Sequence, residues 1–328
     1  DVELLTTTEG DIGLGEVSAL DDFVLMLATG QIYDRNGEAI NIYAEDAGLS
    51  GTDGIDTDVA LTGELTATSV DAPIDIFADA QGDADLDLDV VSIDAGSGRI
   101  FLETDGTIDL RAGQLASNRW IELDATGNIL GNPLGATEIA GSSTASLVVN
   151  HAQNITNVTA DISDLFVYDA AQVSRMTFVA PTDVNVLRAA SSVSLFSEAE
   201  RMSIGVITSG DQVVLTGRED NTTVIDEIDT DSEILANRLD VNHAARTNLT
   251  TEVDVLRVAS VGTANTPGSI EIVNEGDLEI DGISSEIQAT VDVATTGDMT
   301  VAEAVKTQQD GQFITLEATG GSLAVYDK

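Results

Sequence analysis

The chain has 328 residues, 42% of them hydrophobic, and carries 58 acidic against 13 basic side chains, a formal net charge of −45. That charge repels nucleic-acid backbone and anionic lipid surfaces, so the composition supports neither as a partner. The lack of cysteine excludes disulfides, thiolate nucleophiles and Cys-ligated metals, and no run reaches the roughly 18 apolar residues of a membrane-spanning helix.

The first residues, DVELLTTTEG, show neither an initiator Met nor a signal-peptide pattern, which reads as a processed chain or a window of a longer one. VSALDDFVLMLA (17–28) serves a helix or a strand and turn equally well, as does SEAERMSIG (197–205). The segment FVLMLATG (Phe23–Gly30) returns as WIELDATG (Trp120–Gly127) and FITLEATG (Phe313–Gly320). The first two closing glycines lie 97 positions apart and the last two 193, about twice as far. SGTDGIDTD (50–58) offers Asp53, Asp56 and Asp58. GDADLDLDV (82–90) alternates, with Asp83, Asp85, Asp87 and Asp89 on one parity and Ala84, Leu86, Leu88 and Val90 on the other. A strand turns successive side chains to opposite faces, so this predicts an apolar inner stripe and four outward carboxylates. Neighbours one coil away, near Asp75 and Asp105, are expected to be acidic too. Like charges about 5 Å apart destabilise a sheet unless cations sit among them.

RIFLETDGTIDLRAG (99–113) precedes WIELDATGNILG (120–131), and Ile100–Ile121 and Ile108–Ile129 are both 21 positions apart. LVVNHA (147–152) returns 92 positions later as LDVNHA (239–244) and puts His151 and His243 in one slot. That equivalence reads as a structural turn position rather than two ligands or bases. Asn154, Asn157, Asn221 and Asn248 begin Asn-x-Ser/Thr sequons, acceptors wherever a secretory pathway glycosylates and read here as turn residues.

Short stretches rich in Val, Ile, Leu and Thr, punctuated by Gly, Asn and Asp, and only four Pro, predict an all-β chain. A beat of about 20 residues nests inside a unit of 92 to 97. Tandem β-sandwich repeats, the alternative, explain only the longer period. A parallel β-solenoid explains both, because about five coils can duplicate as a block. The expectation is one continuous solenoid segment over 1–328, of roughly sixteen coils, with Ile, Leu and Val laddered inward.

LTTEVDVLRVASVGTANTPGSIEIVNEGDLEIDG (249–282) and GDIGLGEVSALDDFVLMLATGQI (10–32) resemble the degenerate repeats of giant bacterial surface proteins and filamentous-haemagglutinin-like adhesins. The resemblance covers most of the chain with motifs of low information. It implies a right-handed β-helix and a non-enzymatic structural role outside the cell or at its surface: an adhesin stalk, fibre or filament. The partners expected for such a protein are neighbouring repeats or protomers, cations, and surface glycans or other cells. This chain departs from the pattern in a less regular beat, higher acidity and the lack of a secretion-domain signature.

The rival reading is a polysaccharide-active β-helix enzyme. It needs an acid and a base converging on one cleft. Basic residues are sparse and carboxylates are everywhere, so no residue is singled out as catalytic. Trp120, in the slot of Phe23 and Phe313, reads as a core or turn-packing residue. No nucleophile elbow, phosphate-binding loop or dinucleotide fingerprint occurs. No cofactor is required. Calcium takes six to eight oxygens, and Asp53, Asp56, Asp58, Asp83, Asp85, Asp87 and Asp89 are weak cation sites at most. They lack the strict Gly-rich nonapeptide spacing of calcium-binding β-rolls.

Overall fold

The computed structural model describes residues 1–37, 39–78, 86–142, 144–262, 268–285, 290–307 and 313–326. The protein is a parallel β-solenoid of about 14 turns, roughly 21 residues apart, with no helix among the described residues. Parallel pairing rules out the sandwich array, whose sheets are antiparallel. The turns number fewer than the expected sixteen because some carry insertions. The step from Ile121 to its partner Leu147 is 26 residues, since it takes in residues 131–138, whereas Leu239 to Leu256 is 17.

Both segments compatible with a helix form strands, Val17–Ala28 and Arg201–Ser209. In the first, Val24, Met26 and Ala28 alternate inward at 5% exposure or less. A helix would scatter these residues around its axis, whereas the strand delivers all three to the core.

The chain divides into two compact units, Asp1–Ser163 with Val167–Ala170 and Asp164–Phe166 with Ala171–Lys328. In the first, Ile32, Ile55, Ile74, Ile100, Ile121 and Leu147 stack in register over six successive coils. In the second, Val173, Val193, Val213, Leu239, Leu256 and Ile280 do the same, and all six are fully buried. Each such side chain contributes about 1.5–3 kcal/mol of transfer free energy. The 21-residue beat is therefore physical: Ile100 pairs Ile121 and Ile108 pairs Ile129 across adjacent coils.

The turns explain the recurring glycine. Gly127 N donates to Gly106 O at 2.9 Å, and Gly297 N to Gly276 O at 2.8 Å, so successive turns lie backbone on backbone. A Cβ on Gly127 would stand 2.8 Å from the Gly106 carbonyl oxygen. The residue after such a glycine donates its N–H to an Asp of the preceding coil. Gln31 N reaches Asp11 Oδ1 at 3.0 Å, Glu64 N reaches Asp46 at 2.7 Å, and Thr107 N reaches Asp87 at 2.8 Å. Ser97 to Asp71, Asp298 to Asp277 and Ser322 to Asp298 repeat the clasp. Asp71 itself adopts φ 58°, as do Asn157, Asn221 and His243 at 54–56°, a left-handed conformation that Asn, Asp and His tolerate best among non-glycine residues.

Buried polar groups are matched in the same local way. Asn274 is fully buried, and its Oδ1 accepts from Thr251 Oγ1 and Val253 N, both at 2.9 Å. Glu138, 1% exposed, accepts Asn132 N and Thr159 N at 2.7 Å and so ties the 131–138 insertion to the next coil.

Candidate functional site

The acidic strings disperse into columns that run from coil to coil. Within GDADLDLDV, Asp83 and Asp85 lie outside the described residues. Leu88 and Val90 point into the core, and Asp87 and Asp89 point outward as the alternation predicts. The neighbours of Asp89 differ from those expected near Asp75 and Asp105. They are Glu64 on one side and Asp109 on the other, three carboxylates in one column. Burial first, and then the Asp109 and Asp87 charges, push the Asp89 carboxyl above its ordinary value. Arg111 grips Asp109 through both carboxylate oxygens. Burial alone would raise Asp109, but this hydrogen bonding holds it below the usual range.

Asp53, Asp56 and Asp58 do not form one set. Asp53 is exposed in a turn, where its N–H bonds to Gly30 O at 3.0 Å. Asp56 stacks on Asp75, and Asp58 pairs in register with Phe77. Burial and the charges of Asp75 and Asp34 raise the Asp56 carboxyl. Arg99 pins Asp75 in a fork at 3.0 and 2.7 Å. The two columns share a design: carboxylates in register, with one guanidinium closing the charge. Asp87 serves its turn clasp. Among the described residues no three His, Asp or Glu side chains come together to hold a metal ion.

The two histidines diverge. His243 occupies a left-handed corner, with Nδ1 3.1 Å from Asn221 Oδ1. His151 lies within the strand Ser146–Thr156, at a register shift opposite Asp124, with Nδ1 2.8 Å from Asp169 Oδ2. The sequons divide similarly. Asn157 and Asn221 are turn residues, and Asn221 is 4% exposed with its amide bound to Gly262 O at 3.1 Å. Asn154 and Asn248 lie on strands, and Asn154 Nδ2 donates to Asn128 Oδ1 at 2.8 Å.

Trp120 is not a core residue. It stands on the outward parity, because Ile121 and Leu123 fill the interior, and it is 38% exposed. Its Nε1 donates to Glu122 Oε2 at 3.2 Å, and Asn150 Nδ2 holds Glu122 Oε1 at 2.7 Å. The ring lies in register with Arg99 and borders a depression of about 430 Å³ lined also by Asp71, Arg119 and Glu122. Sequence reasoning missed both this depression and the turn clasps. The clasps had a signal in Gly-x pairs preceded one coil earlier by Asp. The exposure of Trp120 followed from its parity with Ile121.

Comparison with protein-family models, with curated proteins and with solved structures gives no match.

Proposed function

We propose that this chain is a structural segment of a secreted or cell-surface protein, an adhesin stalk, surface fibre or extracellular filament of the kind its repeats resemble. One observation carries the reading: the outward carboxylates are used for stacking. They clasp backbone N–H groups of the next coil or pair with Arg99 and Arg111, while the inward parity carries unbroken aliphatic ladders. Side chains engaged in this way support a non-catalytic role, since a catalytic acid or base needs its oxygens free for substrate.

The charge of −45 fits a salty exterior, where the Debye length is about 8 Å or less and dissolved cations screen the acid columns. Neighbouring protomers and such cations, calcium included, are the partners this reading calls for. Protease treatment of intact source cells tests it. Loss of the chain from unlysed cells, detected by antibody, is the expected result. A chain protected until lysis overturns the proposal.

A further inference from the structure

We infer that the depression beside Trp120 is a binding site for an uncharged oligosaccharide. The inference rests on the outer face of the first unit and does not depend on the stalk reading.

Three aromatic residues step diagonally across three successive coils. Phe101 pairs in register with Asp75, two residues before Phe77, and with Glu122, two residues after Trp120. Phe77, Phe101 and Trp120 therefore follow one diagonal, on which side-chain neighbours lie about 7–8 Å apart. The Phe77 and Phe101 centroids are closer still, at 5.4 Å. The row uses the protein's only Trp and two of its seven Phe, in a chain that is 4% aromatic. All three rings sit on the outward parity, where folding gains little from them. A run of rings matches a run of pyranoses, because the C–H face of a sugar ring packs on the electron-rich face of an aromatic ring.

The polar groups complete the match. Sugar hydroxyls need a donor and an acceptor side by side, and the Arg99–Asp75 fork supplies both at the edge of the row. Trp120 is held by Glu122, which Asn150 holds in turn, so the indole has its orientation before a ligand arrives. The volume of about 430 Å³ falls within the range of small-molecule sites.

Charge selects among saccharides. Two guanidiniums, Arg99 and Arg119, face two carboxylates, Asp71 and Glu122, so the lining is neutral. The molecule as a whole repels polyanions. An uncharged glycan meets no such repulsion and needs no counter-charge.

Because Trp120 is the single tryptophan, its fluorescence reports this site alone. The experiment titrates the full chain with neutral hexaoses of β-1,4-, β-1,3- and α-1,4-linked glucose, and with an oligogalacturonate as the anionic control. A saturable emission change with a neutral hexaose is expected, with no response to the uronate. By calorimetry, Trp120→Ala should weaken binding about tenfold or more, and Trp120→Phe should retain most of it. An unchanged melting temperature in both variants separates lost binding from lost fold. No emission change with any neutral hexaose up to millimolar concentration overturns the proposal. So does preferred binding of the uronate, undiminished binding by Trp120→Ala, or an emission change that follows protein dilution alone and so reports a second copy of the chain.

Discussion

Replacing Asp89 by Asn should stabilise the protein at pH 7. Asp89 is the middle carboxylate of the Glu64–Asp89–Asp109 column. Strands in a sheet lie about 4.8 Å apart. At that distance two like charges in water repel by about 0.9 kcal/mol, and screening at physiological salt reduces this to about 0.5 kcal/mol. Two neighbours, one partly offset by Arg111, give a gain of about 0.5–1 kcal/mol, with exposure favouring the lower end. Asn keeps the shape and removes the charge. The folded-state carboxyl of Asp89 titrates above its ordinary value of 3.8, so the folded state takes up this proton first as the pH falls. The wild-type penalty is therefore present above the raised value and disappears as the pH descends through it towards 3.8. Asp109 and Asp34 titrate below 3.8 and act oppositely, contributing stability that is lost only in stronger acid. Urea midpoints for wild type and variant, at pH 7 and pH 4 and at low and about 1 M NaCl, measure the effect. The gain should be clear at pH 7 in low salt and nearly absent in the other conditions. A lower midpoint for the variant at pH 7, or a gain that survives high salt, would refute the electrostatic account. Loss of stability confined to buffers with millimolar calcium would show a bound ion that needs this carboxylate.

The stacked turns predict that Gly127→Ala lowers the urea midpoint by the equivalent of about 1–3 kcal/mol, because its Cβ would press on backbone rather than on a movable side chain; an unchanged midpoint would mean the turns have slack. Thr247 is fully buried with no partner for its hydroxyl, between Ile225 and Ile270 in register. Thr247→Val should raise the midpoint by about 1 kcal/mol, since it removes an unpaired buried polar group at nearly constant shape; a fall would indicate that the hydroxyl is satisfied in solution.

What the sequence discloses follows from what the fold repeats. The coil period was legible because Ile100 and Ile121 must meet across one coil step, and parallel stacking converts that contact into a fixed interval. The inward parity of Leu88 and Val90 was legible because a strand has only two faces. The partners of Asp89 were not, because coil steps vary from 17 to 26 residues and a count of 20 lands on the wrong carboxylate. The slot shared by Trp120, Phe23 and Phe313 invited a core assignment, yet all three are exposed, at 37–75%. Bulk and aromaticity argued inward while parity with Ile121 argued outward, and parity prevailed because the solenoid interior is filled by aliphatic ladders. The equivalence of His151 and His243 failed at a register shift, which alignment by identity does not register.

The turn clasps all run the same way. In each, the carboxylate belongs to the earlier coil and the N–H to the later one, from Asp11 and Gln31 to Asp298 and Ser322. A turn completed first thus holds out an acceptor, and the turn that follows arrives with the donor. A chain that emerges N-terminus first meets a ready anchor at every new coil, so its assembly has a built-in direction of growth.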